Sequence, residues 1–441
     1  MKQASLALAV TAGILSSSPQ AIAGGFIEDS KASLHLRNFH IDQDIRHQDA
    51  PGINEWGQGF FLKYQSGFTQ GPVGFGVDVL GLYGLRLDGG GRAGKEDLSR
   101  SPGSVFPLDG DGNAKHGFGR LEPTAKMRLS KTTAHVGNLM PKLPVLTYGD
   151  SRLLPQTFRG AQIASHEIDD LSLIAGRLTR VAERNSYDHQ GMSIAGANDP
   201  QTGRFSHEFL YAGADYKAGK NLLLQYYYGN LKNFYQQHFF GLVHDWNLPA
   251  GSLKTDLRYF RSTSDGRNAS AAGRAEGYLS SGYYGNSVTA GEVDNHLWSA
   301  MFTYSLKGHA FSAGYQQISG PSDFPHINED EGRTLHLITN AQIARFTSAG
   351  ERTWVTGYAY DFKQLGVPGL KFSTAYYSAH NIHAQGPDHR EWERDIRLDY
   401  VVPDGPLKGV GLTWRNGVQR GNDSKDRDEN RLIVSYTLAL F

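Results

Sequence analysis

The strongest constraint in this chain is a two-residue rhythm that never gives way to a long apolar run. Val73, Phe75, Val77, Val79, Tyr83, Leu85 and Leu87 share one parity, and Gly74, Gly76, Asp78, Gly84, Arg86 and Asp88 share the other. Ala125, Met127 and Leu129 alternate with Lys126, Arg128 and Ser130. Trp298, Ala300, Phe302, Tyr304 and Leu306 alternate with Ser299, Thr303 and Ser305, and Leu432, Val434, Tyr436, Leu438 and Leu440 with Arg431, Ser435 and Thr437. Side chains alternate across a strand, so each segment has one apolar face and one polar, partly charged face. Beyond the N-terminal leader no stretch reaches the ~18 consecutive apolar residues of a spanning helix. The reading is all-β, either a sheet protein with one wet face or a barrel with an apolar exterior.

The connections separate the two. Short turns fall at 69–72, 131–132, 167–169, 217–220, 248–252, 307–309, 363–369 and 403–409, nearly all with Gly, Pro, Asp or Lys. Between them lie long polar connections at roughly 41–56, 88–119, 140–157, 181–206, 262–295, 319–352, 379–391 and 421–430, and a short one near 231–234. Nine outer connections join nine pairs of strands, which makes 18. An even count with short turns at one end and long loops at the other is the pattern of an antiparallel transmembrane β-barrel, with periplasmic turns and extracellular loops. A barrel of that size encloses a water-filled lumen. Aromatic residues near strand ends agree: Phe60, Phe61, Tyr226 to Tyr228, Phe239, Phe240, Tyr376, Tyr377 and Trp414 suit interfacial girdles. The last strand runs to Phe441 and pairs with the first, because only closure satisfies every backbone group in lipid.

The first residues are an address. Lys2 is a positive n-region, Ala4 to Leu15 an apolar core, and Ala21-Ile22-Ala23 an A-x-A cleavage site. Residues 1–23 are read as a signal peptide and 24–441 as the barrel, exported to the outer membrane of a Gram-negative cell. Lys+Arg and Asp+Glu both number 44, which argues against nucleic acid as a partner. The absence of Cys excludes disulfides, thiolate metal sites and a cysteine nucleophile.

The run Asp150-Ser151-Arg152-Leu153-Leu154-Pro155-Gln156-Thr157-Phe158 resembles the third-loop signature of the OprD family, the outer-membrane carboxylate channels. Supporting pieces follow in order along the chain: Arg37-Asn38-Phe39, Glu55-Trp56-Gly57-Gln58-Gly59-Phe60, Gly74-Phe75-Gly76-Val77-Asp78, Pro141 to Leu146, Leu253 to Tyr259, Asp294-Asn295, Gly366 to Leu370, Trp392-Glu393-Arg394-Asp395 and Trp414-Arg415-Asn416. The resemblance implies an 18-stranded monomeric barrel and substrate-specific passive diffusion. It implies that the third loop (140–157) and the seventh (319–352) fold inward to narrow the pore, and that arginines and lysines form a ladder on the wall. Pro321 is a departure in the seventh loop, where many relatives carry an acid after the Gly. Asp323 is then the candidate acid of the constriction.

The parity of the strands supplies the basic wall directly: Arg37, Arg86, Lys126, Arg128, Lys254, Arg258, Arg397, Arg415 and Arg431. Arg394 has the opposite parity to Arg397 and joins the wall only if the rim turns it inward. Guanidinium groups in a row offer a carboxylate successive bidentate partners. The alternative for each is pairing with a lumen acid such as Asp78, Asp256, Asp395 or Asp399. Arg152, carried by a loop that enters the pore, is expected at the constriction with Asp323, Tyr148 and Phe324. An acid there, from Asp323 or the Glu329-Asp330-Glu331 run, favours basic amino acids, whereas Tyr148 and Phe324 favour ring-bearing acids.

Other motifs carry less. Gly89 to Lys95 fits G-x-x-x-x-G-K, but Glu96 replaces the hydroxyl that binds Mg²⁺. Asp109-Gly110-Asp111-Gly112-Asn113 opens like a calcium loop, but Arg120 stands where the bidentate Glu belongs. His380, His383 and His389 share one loop and are read as solvated rather than metal-binding. An enzymatic barrel needs a nucleophile tied to an oriented His, and no local signature supplies one for His35, His135 or His336. The function expected is a porin for small carboxylate solutes, amino acids or cyclic and aromatic acids, with no cofactor and no metal. The alternatives are a barrel enzyme and an adhesin or structural barrel. The partners expected are outer-membrane lipids, lipopolysaccharide and the barrel assembly machinery.

Overall fold

The computed structural model describes residues 25–441 except 48–49, 92–101, 196–203, 328–333, 387 and 423. The leader, the Glu329–Glu331 run and part of the Gly89–Lys95 motif lie outside the described residues. The chain forms β1 (Lys31–Ile45), β2 (Ile53–Gln65), β3 (Val73–Asp88), β4 (Gly117–Leu129), β5 (Thr132–Leu139), β6 (Lys142–Leu143), β7 (Leu146–Thr147), β8 (Thr157–Ser165), β9 (Leu171–Ala182) and β10 (Phe209–Ala218). It continues through β11 (Leu222–Leu231), β12 (Tyr235–Asn247), β13 (Ser252–Ser264), β14 (Asp294–Leu306), β15 (His309–Ser319), β16 (Arg352–Asp361), β17 (Leu370–Ile382), β18 (His389–Val401), β19 (Gly411–Gly421) and β20 (Arg427–Ala439).

Apart from the small hairpin β6–β7, these are 18 antiparallel strands in one sheet, each paired with its sequence neighbour. β1 pairs with both β2 and β20, so the sheet has no edge. In the closing pair Arg37 stands opposite Ser435 and Ile41 opposite Arg431. The strand count and the alternation of short turns with long loops agree with the sequence. The outer loops are shorter at 46–52 and 383–388 than the sequence suggested, because β1, β2, β17 and β18 run on past the expected girdle.

The outer face explains the alternation. Leu121, Val136 and Trp354 are each more than half exposed. A row of such side chains around a closed sheet is stable only against lipid. Tight turns close the other end; Asp361 caps the short helical turn Phe362–Leu365, and Gly366 leaves it with φ 80°. Inside, loops descend from the extracellular end and pack against the wall. Leu143, Val145 and Leu146 join Phe209, Phe234, Phe239, Phe260, Phe324 and Ile327 in one buried cluster, so an apolar core fills the lumen beside β9 to β15.

One stretch of wall is closed by side chains instead of a ladder. The β4–β5 pairing ends at Thr124 opposite Gly137, and β5 then turns inward. Gly137 has φ 137°, and a Cβ there would sit 2.3 Å from the Pro123 carbonyl. Above it Glu122 receives Thr157 Oγ1 at 3.2 Å, with Arg120 Nε at 3.3 Å and His189 Nε2 at 3.1 Å. Arg120 in turn donates to the carbonyls of Glu183, Ser186 and Pro155, which ties the fourth loop to the seam.

Candidate functional site

The narrowing of the lumen is built from the third loop upward. Gln156 closes that loop on itself, its amide nitrogen donating to the Gly149 carbonyl at 2.7 Å and its side-chain oxygen accepting from Gly149 N at 3.0 Å. The turn between them presents Leu153 and Leu154, both fully buried against Phe39, Phe106 and Phe118. The wall makes room by omission. A Cβ on Gly57, Gly59 or Gly84 would meet Leu153 at 2.8, 3.2 and 3.1 Å. The glycines of the Glu55–Phe60 motif are therefore the floor on which the third loop rests. Glu55 adds a second tether: its carboxylate accepts the amide hydrogens of Gly103, Ser104, Val105 and Phe106 at 2.9–3.4 Å. That brings Phe106 of the second loop onto Leu153.

The seventh loop is held from the opposite wall. Asp395 accepts from Gln342 N at 3.0 Å, and Glu393 from Ile343 N at 2.8 Å and Ala344 N at 2.5 Å. The two tethered loops meet at Glu429. Its carboxylate receives Gln43 Nε2 at 2.7 Å, Gln342 Nε2 at 3.0 Å and Arg431 Nε at 2.6 Å. Arg431 then donates to the carbonyls of Ser151 at 3.3 Å and Gln342 at 3.0 Å. One buried ion pair thus clasps the third loop, the seventh loop and the wall.

Beside the clasp stands the basic row. Arg397, Arg415 and Arg431 are directly opposite one another on β18, β19 and β20. Arg397 forks onto Asp399 at 2.6 and 2.8 Å and remains about half exposed. Arg431 is spent on Glu429. Arg415 is half-buried between them, and its guanidinium makes no hydrogen bond or ion pair among the described residues. Around the rest of the lumen several of the expected wall cations are occupied, Arg86 by the Ala114 carbonyl and His116, while Lys254 makes no hydrogen bond or ion pair among the described residues. Arg37 pairs with Asp150 at 2.7 Å and donates to the Arg152 carbonyl at 2.9 Å. Arg258 forks onto Asp256, and Lys126 pairs with Asp78 at 2.6 Å and reaches the Ser66 carbonyl. Arg128 lies at the periplasmic end, 4.4 Å over the Phe68 ring.

Four expected residues sit differently from their reading. Arg394 shares the outward parity of Trp392 and Ile396 and donates to Asn416 Oδ1 at 2.5 Å; no bulge turns it into the lumen. Arg152 is in the third loop but buried, its guanidinium against Ser104 Oγ at 3.2 Å and 4.0 Å from Glu429, so it braces the narrowing. Asp323 accepts from Ala349 N at 2.9 Å and shapes the seventh loop from within. Phe324 packs edge-on against Phe260 at 5.1 Å inside the apolar core, which removes it from ring stacking with a solute. Tyr148 is half-buried with Lys142 Nζ 5.4 Å over its ring. Burial and the nearby Asp150 push its hydroxyl pKa up to about 12, so it stays a neutral hydrogen-bonding group. The Asp109 motif is a polar turn, with Asp109 Oδ1 accepting from Asp111 N and Asn113 N. Among the described residues no cluster of three side chains suits a metal.

The comparison with known families is decisive. Residues 24–440 match the family described as outer membrane porin, OprD family. The chain belongs to the OprD family. Porin-like protein GalP of Pseudomonas putida KT2440 is 37% identical over 426 residues, covering 96% of this chain and 95% of that protein. The crystal structure of Pseudomonas aeruginosa OccK8 (OprE) superposes with a TM-score of 0.88 at 55% identity, over 95% of this chain and all of that one. That of Pseudomonas aeruginosa OpdK with vanillate superposes at 0.82 and 35% identity, over 94% of this chain and all of that one. The protein is accordingly an outer-membrane porin for small solutes, a channel and not an enzyme. The OprD-family signatures now have physical content. Glu55, Gly57, Gly59, Glu393 and Asp395 are loop anchors; the family motifs point to all five, and strand parity also places Asp395 in the lumen. Glu429, Gln342 and Gln43 carry no signature at all; the one signal for Glu429 and Gln43 is inward parity, and Gln342, in the seventh loop, has none.

Proposed function

We propose that this OprD-family porin passes small carboxylate-bearing solutes by passive diffusion, and that the carboxylate crosses the waist on the Arg397–Arg415–Arg431 row. The single observation that carries the reading is Arg415. Two arginines of the row are held by acids, and the middle one makes no hydrogen bond or ion pair among the described residues, with Asp395, Asp399 and Glu429 acting on it only through their field. A carboxylate matches that fork with two parallel hydrogen bonds. Its flanking arginines offer weaker, shared contacts, and several modest sites let a solute enter and also leave.

The acids of the path favour organic acids over basic amino acids. Asp150, Asp256, Asp399 and Glu429 each face an arginine, and Asp323 is turned onto the backbone of its own loop. A substrate cation therefore finds its counter-charges already engaged, while a carboxylate finds Arg415. A structure of the relative OpdK was determined with vanillate, an aromatic carboxylate, which agrees with this preference. In the same reading residues 1–23 are removed on export and the mature porin starts at Gly24.

The test is Arg415→Glu in proteoliposomes. Benzoate uptake should slow roughly tenfold or more, as expected for replacing a charge-assisted bidentate contact by repulsion. Uptake of a neutral sugar of similar size should change less than twofold on the same scale. Equal slowing of both solutes would mean that Arg415 shapes the pore and does not select for carboxylates.

A further inference from the structure

On much of the barrel the outward positions near the extracellular strand ends carry rings: Tyr226, Phe240, Tyr259, Trp298 and Trp354 are all exposed. β8 and β9 interrupt that belt with arginines. The outward positions of β9 run Leu171, Leu173, Ala175, Arg177 and then Arg180, and β8 adds Arg159. Arg159 and Arg180 stand directly opposite each other, and Arg177 lies opposite Ala161 one step below. A bulge between Arg159 and Gly160 sets this up. Thr179 Oγ1 donates to the Arg159 carbonyl at 3.2 Å, Leu178 and Val181 stay buried, and Arg180 is left exposed. Arg177 and Arg180 lie roughly 20 and 30 Å along the strand from Leu171 at ~3.4 Å per residue. At a tilt near 40° that is about 15 and 23 Å of height, which puts Arg180 and the facing Arg159 at the upper edge of an apolar band about 25 Å tall and Arg177 within its upper half.

The protein supplies these cations with one dedicated acid. Arg177 pairs with Glu208 at 2.7 Å. Arg159 Nε lies 4.0 Å from Glu122, a carboxylate already shared by Arg120 and His189, and Arg180 reaches only the His189 carbonyl at 3.4 Å. The Arg159 and Arg177 side chains keep 50% and 58% of their accessible surface. Like charges directly opposed across a ladder destabilise it unless something neutralises them. An anion shared between Arg159 and Arg180 does so, and guanidinium groups fit a phosphate in bidentate fashion.

We propose that Arg159, Arg177 and Arg180 form a binding site for the phosphate of an outer-leaflet glycolipid, whose acyl chains lie on Leu173, Ala175 and Ile163 below. The test uses the full barrel in detergent micelles and titrates it with bisphosphorylated lipid A, with the same lipid after enzymatic removal of both phosphates, and with inorganic phosphate. The phosphorylated lipid should bind roughly tenfold tighter than the dephosphorylated one, the scale of one or two charge-assisted hydrogen bonds. The double variant Arg159→Gln/Arg180→Gln should lose most of that ratio, while Arg46→Gln/Arg420→Gln, beside β1 and on β19 and so several strands away around the barrel, should keep it. Single-channel conductance should be unchanged, because none of these side chains faces the lumen. Equal binding of the two lipids by the native protein would overturn the proposal whether or not the variant folds. So would a variant that keeps the full ratio. Binding of inorganic phosphate with no gain from the acyl chains would mean that the arginines hold a free anion and no lipid.

Discussion

His336 shows what an inward-folded loop does to a single titratable side chain. It is carried by the seventh loop, packs edge-on against Phe239 at 5.4 Å, and faces Arg258, Lys254 and Asp256 of the wall. Burial and the positive field of Arg258 push its pKa down from 6.5 to about 3, with Asp256 opposing. The docked loop therefore holds the neutral ring. A loop released into water takes up a proton near the ordinary value, so docking is at full strength above pH 6.5 and weakens as pH falls from there toward 3. Native channels should show growing current noise between pH 7 and pH 4, and His336→Gln should be quieter over that interval. A variant with the same pH profile as the native porin would remove His336 from the cause. At this scale the sequence was only partly readable. Parity alone put Arg37, Arg258, Arg397, Arg415 and Arg431 inside, because a strand has two faces. The sequence also separates the occupied arginines from Arg415: Asp399, Asp256 and Glu429 stand two residues from Arg397, Arg258 and Arg431 on the same strand face, whereas Arg415 has Thr413 and Gly417 there.

At the scale of elements, the narrowing is made by what the wall lacks. Leu153 seats where Gly57, Gly59 and Gly84 leave space, and Glu55 fixes the second loop behind it. A side chain at Gly57 meets both Leu153 and Phe106, so Gly57→Val should lift the third loop. Overpacking of this kind costs about 1–3 kcal/mol, enough to change the resting position of a docked loop without unfolding a barrel. Single-channel conductance should rise and carboxylate selectivity should fall; native values for both would show that the floor yields and the loop does not. The strands themselves were legible because lipid on one side and water on the other force a strict period of two. The routes of the third and seventh loops were not, because they are set by contacts such as Arg37 with Asp150 and Gln342 with Glu429, between residues distant in sequence. The OprD resemblance supplied the inward folding, and the anchors Glu55, Glu393 and Asp395 supply its cause.

For the molecule as a whole, Glu429 is the point where wall and both loops are joined. A carboxylate buried among Arg431, Arg152, Gln43 and Gln342 leaves uncompensated charge when it is removed. Loss of one partner of such a pair costs about 3–5 kcal/mol. Glu429→Gln should lower the temperature at which the folded barrel band is lost on an unheated gel and should widen the pore together with it. A stable barrel with native conductance would show that the tethers at Glu393 and Asp395 suffice. The apolar core beside β9 to β15 keeps the other half of the lumen closed, so solutes and ions share the side that carries the arginine row. That arrangement has a consequence for Arg415. A guanidinium that no protein group hydrogen-bonds, flanked by two more arginines in a narrow, low-dielectric passage, draws a small anion from the bath. Entry of an organic acid is then an exchange, in which the newcomer evicts a resident chloride, and apparent affinity should fall as chloride is raised while total ionic strength is held constant with a large, impermeant anion.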